Sequence, residues 1–174
     1  MIDLKSTIRS IPDFPKKGIM FRDITTLLLE PRAFRQTLDL MEDFCRGRDI
    51  SKILAIESRG FIFGGALADR LGVGFVPIRK AGKLPGKTVK QEYELEYGTD
   101  SIEIHADALK SGEAVMIVDD LVATGGTLEA ACQLVEKVGA RVAGLAIMID
   151  LAFIPWRKKL EKYEILTLVK YDSE

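Results

Sequence analysis

"VMIVDDLVATGGT" (residues 115–127) sets an apolar run, two adjacent carboxylates and a Gly-Gly pair in one short stretch. The apolar part reads as a buried strand, and Leu128, Ala131, Val135 and Val138 just after it fall on one stripe of a helix. In open α/β sheets a ligand sits beyond the carboxyl ends of the strands, the kind of place this stretch occupies. Asp119 and Asp120 stand where the apolar run ends, and like charges side by side need a nearby cation or ligand hydroxyls that donate to both. Ala123, Thr124, Gly125, Gly126 and Thr127 have little bulk. Glycine lets the backbone approach an anion, and a helix N-terminus offers unpaired N–H groups and a positive dipole end. The two threonines add hydroxyl donors. A ligand with hydroxyls at one end and an anion at the other fits the whole run; Asp119 and Asp120 can accept from a diol or hold Mg2+ through water. An acidic turn capping a helix would explain any single Asp-Gly-Thr cluster. The complete run, with strand before and helix after, favours the ligand.

Outward from there the chain alternates strand and helix. Upstream, "KILAI" (52–56) reads as a buried strand, "ESRG" as a turn, "FIFGGALADRL" as a helix and "GFVPI" as the next strand. Earlier still, Phe34, Leu38, Met41 and Cys45 form one stripe of a helix from Pro31 to about Gly47, preceded by a short N-terminal helix and the segment "IPDFPKKGIMFRDIT". Downstream, "RVAGLAIMIDL" and "EILTLVKY" supply two more strands, with Trp156 in a short helix between them, where packing is the natural reading. Between "GFVPI" and the opening stretch the pattern changes. "RKAGKLPGKT" is a basic, Gly- and Pro-containing loop expected to be mobile, and "VKQEYELEY" with "DSIEIHA", joined through Gly98 and Thr99, reads as a hairpin on the main sheet. The expected class is α/β: a central, mostly parallel sheet flanked by helices.

Composition narrows the function classes. The 174 residues suit one domain (1–174) with a full-sized core. Lys+Arg at 25 against Asp+Glu at 26 leaves no bulk positive field for general nucleic-acid or membrane-surface binding. The N-terminus lacks the continuous apolar core of a secretion signal, and no apolar run approaches the roughly 18 residues of a membrane span. Cys45 and Cys132 each sit in a helical pattern and are expected as buried free thiols of a reducing cytoplasm. His105 stands alone, in a strand-like segment that gives it an ordinary strand-face role.

Two look-alikes fall away. The G-x-x-x-x-G-K-[ST] of nucleoside triphosphatases is absent, and "GVGFVP" (72–77) enters a strand with Pro77 at the last glycine position of a dinucleotide fingerprint, so it reads as a turn.

The run 118–127 closely resembles the phosphoribosyl pyrophosphate signature of the type I phosphoribosyltransferases. "FPKKGIMFRDIT", "ESRGF", "IRKAGKLPGKT", "LEYG" and "VDDLVATGGT" occur in family order with family-like spacing, over nearly the whole chain. The N-terminal part and the "LEYG" hairpin narrow the resemblance to the adenine phosphoribosyltransferases. It implies a Rossmann-like fold with a small hood to which residues 1–30 contribute, and a flexible loop and hairpin over 80–105, of which the 80–97 region closes as a lid. It also implies the reaction of adenine with phosphoribosyl pyrophosphate to give AMP and pyrophosphate, with Mg2+ held mainly by substrate rather than by direct protein ligands.

Residue by residue, the resemblance assigns Ala123 to Thr127 to the 5′-phosphate and Asp119 and Asp120 to the ribose hydroxyls. Ser58 and Arg59 would hold pyrophosphate together with Arg79, Lys80 and Lys83, a leaving group whose charge needs such neutralisation. Without the other motifs the 79–90 basic run reads as a solvated loop. Phe21 would stack on the purine, with the Met20 and Arg22 region reading its edge and Leu151 closing the other face. Core packing is an equal reading for Phe21 alone. Glu96 would relay the adenine proton, beside Tyr97 of the lid, and Arg59 joins Glu96 as a catalytic candidate. A cis Glu57–Ser58 peptide and a homodimer are also implied, with no nucleic-acid or membrane partner. The rivals are a regulatory protein that senses phosphoribosyl pyrophosphate and a transferase for another purine base.

Overall fold

A computed structural model of the chain describes residues 1–95 and 98–174. Glu96 and Tyr97 therefore lie outside the described residues. The chain opens with a 3-10 turn (Leu4–Thr7) and a two-stranded antiparallel ribbon, β1 (Arg9–Ile11) and β2 (Phe21–Asp23). The helices α1 (Thr25–Leu29) and α2 (Pro31–Cys45) follow, then β3 (Lys52–Ile56), α3 (Gly60–Leu71) and β4 (Gly74–Lys80). The hairpin strands β5 (Thr88–Glu94) and β6 (Thr99–His105) lead into β7 (Ala114–Val122) and α4 (Gly126–Lys137). The chain closes with β8 (Arg141–Leu151), a 3-10 turn (Arg157–Leu160) and β9 (Ile165–Tyr171).

The main sheet has the order β5-β6-β4-β3-β7-β8-β9. The five strands β4, β3, β7, β8 and β9 pair in parallel, and the hairpin joins β4 antiparallel through Arg79–Glu103 and Lys80–Ile102. Successive side chains of a strand point to opposite faces, so a parallel sheet covered on both sides needs apolar residues in unbroken runs. Ile53, Ala55, Met116, Val118, Ala146 and Met148 pack on one face with Leu38 and Met41 of α2 and Phe63 and Leu67 of α3. Their neighbours Leu54, Ile56, Val115, Ile117, Leu145 and Ile147 pack on the other, with Leu128, Ala131 and Val135 of α4. Strand order reverses between β3 and β7, which makes the crevice there the switch point at which such sheets bind ligands.

Several expectations change in detail. The pair Asp119–Asp120 does not follow the strand; β7 runs on to Val122 and stays paired with β8. What ends is its pairing with β3, whose last partner is Val118, so the carboxylates sit where the sheet splits. The "GVGFVP" segment is a turn only over Gly72 and Val73, because Gly74 already pairs with Lys52. Lys80 ends β4 and Thr88 begins β5, which shortens the basic loop to 81–87. Neither the β1–β2 ribbon nor α1 was expected; three-residue strands and a five-residue helix are too short to show a period. The first helix is a single 3-10 turn, and Trp156 caps the other such turn from outside it.

Helix α3 comes unusually near the sheet. A side chain at Gly64 would place its Cβ 2.5 Å from the Ala55 Cβ, whereas at the adjacent Gly65 it would meet nothing within 4 Å. Gly64→Ala should therefore destabilise the fold by about 1–3 kcal/mol, the usual cost of overpacking. Gly65→Ala should raise stability by about 0.5–1 kcal/mol through helix propensity. Urea unfolding of the two variants beside the wild type checks the opposite signs.

Candidate active site

The site is built on the carboxyl ends of β3, β4 and β7. Asp119 and Asp120 are 8% and 7% exposed. Burial, and for Asp119 also the neighbouring Asp120 charge, pushes both carboxyls above the usual carboxylate range; Arg59 works against this at Asp120. Asp119 Oδ1 accepts the Asp120 backbone N–H at 2.9 Å. Asp120 Oδ2 is buried and lies 2.6 Å from Arg59 Nε, a charge-assisted contact that holds the guanidinium over the pair.

Gly60 explains how α3 reaches this pair. A Cβ there would stand 2.9 Å from Asp119 Oδ1 and 3.1 Å from the Val118 carbonyl oxygen, so only glycine lets the helix begin against the carboxylate. The positive end of α3 then faces a buried negative group. Just before it, Ser58 is exposed and the Glu57–Ser58 peptide is cis, as the resemblance implied. Arg59 sits at the helix cap and also stacks over the Phe21 ring, 5.1 Å from its centroid. One guanidinium thus joins the ribbon to the carboxylate pair.

The small-residue turn wraps a cavity of about 140 Å³ lined by Asp119 and by residues 121–128, among them Ala123, Thr124, Gly125, Gly126 and Thr127. Gly125 has φ +75°, a conformation in which a side chain is strained, and it caps α4, whose first N–H groups have no partner within the helix. The next cavity, about 280 Å³, holds Asp119, Asp120, Thr127 and Lys80 together with Tyr93 and Leu95 of the hairpin. β5 lies over the start of α4: a Cβ on Gly126 would be 3.5 Å from the Glu94 carbonyl oxygen and 3.7 Å from the Tyr93 ring.

The basic side is held by carboxylates that the sequence did not single out. Glu57 accepts from Arg79 Nε at 2.7 Å and from the Lys80 backbone N–H at 3.2 Å. Burial pushes Glu57 up, but those bonds leave it below the usual range. Asp100 takes Lys80 Nζ at 3.2 Å and the Tyr93 hydroxyl at 3.3 Å. Glu103 is 1% exposed and accepts from the backbone N–H groups of Lys83 and Leu84 and from the Thr88 hydroxyl at 3.1, 3.0 and 3.1 Å. The Lys83 side chain is exposed on this anchored loop. A charged residue between Ile102 and Ile104 was the available signal for Glu103.

The base-side residues divide. Phe21 is half-buried and meets Phe14 edge-on, with ring centroids 5.0 Å apart. Met20, also half-buried, precedes it, and Leu151 ends β8 half-buried against the α2–α3 side of the core. The Arg22 side chain turns away: it is buried, stacks 3.9 Å from the Tyr171 ring centroid and donates to Ser10 Oγ at 2.5 Å. Any edge reading at position 22 would fall to its backbone. His105 closes β6 opposite Thr88. Cys45 and Cys132 are buried and unlinked, and burial raises their thiols to about 11 and about 12. Among the described residues no group of three His, Cys, Asp or Glu gathers to cage a metal, and no helix is long and apolar enough to cross a membrane.

Comparison with known proteins gives this geometry a family. A model of the phosphoribosyl transferase domain matches residues 30–166. A relative from Thermotoga neapolitana named adenine phosphoribosyltransferase is 55% identical, over 98% of this chain and 100% of its own. The crystal structure of adenine phosphoribosyltransferase from Thermoanaerobacter pseudethanolicus superposes with a TM-score of 0.93 at 53% identity, covering 97% of this chain and 98% of that one. The Saccharomyces cerevisiae enzyme, complexed with D-2,5-dideoxy-2,5-imino-altritol 1,6-bisphosphate and adenine, superposes with a TM-score of 0.89 at 42% identity, covering 95% and 96%. With its split sheet, buried carboxylate pair and glycine turn, the chain belongs to the adenine phosphoribosyltransferase family.

Proposed function

We propose that this protein is a purine-salvage transferase that joins adenine to phosphoribosyl pyrophosphate, giving AMP and pyrophosphate. The observation that carries the reading is the pairing of two buried carboxylates with an anion-sized glycine turn at the sheet's switch point. Asp119 and Asp120 accept from the ribose hydroxyls, with Arg59 holding Asp120 in place. The turn from Ala123 to Thr127 takes the 5′-phosphate on backbone N–H groups and threonine hydroxyls. Ser58, Arg59, Arg79, Lys80 and Lys83 neutralise the departing pyrophosphate. Phe21 and Leu151 bound the purine, with Met20 and the backbone of Arg22 at its edge.

The Asp119–Asp120 pair also suits a metal-bound water, and the family resemblance puts Mg2+ mainly on the substrate's oxygens. When bound it supplies charge neutralisation at the diphosphate. The protein's own task is to hold C1′ between base and leaving group and keep water away, which the hairpin over α4 serves. Glu96, from that hairpin, relays the adenine proton beside Tyr97. The free thiols suit a reducing cytoplasm, and exposed Ile62 and Phe75 offer apolar surface to a second copy in a homodimer.

Pyrophosphate release measured with adenine, hypoxanthine and xanthine in turn tests the reading. Adenine alone should support turnover. Preference for another base would replace the substrate, and release with none of them would favour the regulatory rival. Two variants probe the assigned parts. Gly125→Val should weaken phosphoribosyl pyrophosphate far more than adenine, because the side chain is strained at φ +75° and its Cβ would lie 3.2 Å from that of Trp156. Glu96→Gln should lower kcat by about 10²–10⁴-fold, the range of a well-placed acid–base group, while Glu94→Gln stays near the wild type. Equal, small effects in a rapid-quench measurement of the chemical step would remove Glu96 from the mechanism.

A further inference from the structure

Trp156 lies beyond the residues assigned to the substrates, yet it is 1% exposed and packs directly beneath the glycine turn. The space a Gly125 side chain would need is filled by Trp156: Cβ at 3.2 Å, carbonyl oxygen at 3.7 Å and ring at 3.9 Å. The tryptophan is itself fixed at its far end. Its Nε1–H donates to Asp150 Oδ1 at 2.8 Å. Asp150 is fully buried, and its other oxygen accepts from Arg157 Nη2 at 2.7 Å, which also donates to Thr167 Oγ1 at 3.2 Å. The Arg157 guanidinium then stacks 4.8 Å from the Trp156 ring centroid.

A buried carboxylate is costly unless its oxygens are engaged, and a buried indole N–H needs an acceptor, so each fixes the other. Asp150 is also the β8 partner of Val122, which leads into the turn on β7. The turn is therefore held from two sides, by the strand that enters it and by Trp156, whose Cβ, backbone carbonyl and ring edge lie under its left-handed residue.

We infer that Asp150 and Trp156 are positioning residues for the 5′-phosphate: the Asp150–Trp156 hydrogen bond holds the indole as the floor that keeps the Gly125 turn in its anion-binding shape. This rests on the proposed role of that turn. The consequence is selective. Loosening the floor weakens ligands that use the 5′-phosphate end and spares those that use the pyrophosphate end, because Glu57 and Glu103 hold the basic side independently.

The test is calorimetric binding of ribose 5-phosphate and of pyrophosphate to the full chain, for wild type, Trp156→Phe, Trp156→Ala and Asp150→Asn. Circular dichroism identifies the variants that fold. Trp156→Phe keeps a ring but loses the N–H, and should weaken ribose 5-phosphate by about tenfold, the scale of one lost hydrogen bond to a charged group. Trp156→Ala should weaken it further, and pyrophosphate should stay within about twofold throughout, a split that general destabilisation would not produce. Asp150→Asn, whose amide cannot accept from both Trp156 and Arg157, should follow Trp156→Phe. Unchanged ribose 5-phosphate affinity in folded Trp156→Phe and Trp156→Ala, or equal loss of both ligands, overturns the inference. If the wild type itself fails to bind ribose 5-phosphate, the assignment of the turn falls first and the inference with it.

Discussion

Two neighbouring carboxylates buried at the split of a parallel sheet are the constraint around which the rest of the site is arranged. Left alone, Asp119 and Asp120 would repel each other and resist burial; burial raises the proton affinity of both, and the Asp120 charge raises that of Asp119 further. The chain offsets this with a cation, Arg59, and with the positive end of α3, admitted by the absence of a side chain at Gly60. The offset is incomplete, since both carboxyls keep a raised proton affinity. On the proposed reading, ribose hydroxyls donating to the pair would complete it.

The other groups occupy two sides of that pair. On one, the glycine turn offers backbone donors, with Trp156 filling the space beneath it. On the other, cations gather around β4 and its loop: Arg79 is matched by Glu57 and Lys80 by Asp100, while Glu103 fixes the loop of Lys83 through its backbone N–H. That matching keeps like charges close together in the absence of an anion. On the proposed reading, a bound diphosphate would compete with Glu57 and Asp100 for the same guanidinium and ammonium groups.

The sequence was most readable where burial leaves no choice. Strands covered on both faces must be apolar throughout, so "KILAI", "AVMIV" and "RVAGLAIMIDL" declared themselves, as did the turn between β7 and α4. The ribbon of β1 and β2 was not legible, because three residues cannot display an alternation and its partners are set by tertiary contact. Arg22 shows the same limit from another direction: its position in a motif was plain, but the stacking on Tyr171 depends on a strand far away in sequence. The basic loop read as mobile from its glycines and proline, while its anchor, Glu103, lay in a strand with no local sign of what it would hold. For Glu96 the motif supplies the expectation, and its position lies outside the described residues.

The most direct measurement of the central claim is a double-mutant cycle run partly on the ligand. Dissociation constants for AMP and for 2′,3′-dideoxy-AMP would be compared in the wild type and in Asp120→Asn. If Asp120 accepts from the ribose hydroxyls, removing them should penalise the wild type strongly and the variant little, with a coupling of about 0.5–3 kcal/mol. An equal penalty in both proteins would mean that the hydroxyls do not meet this carboxylate, and the account of the buried pair would be wrong.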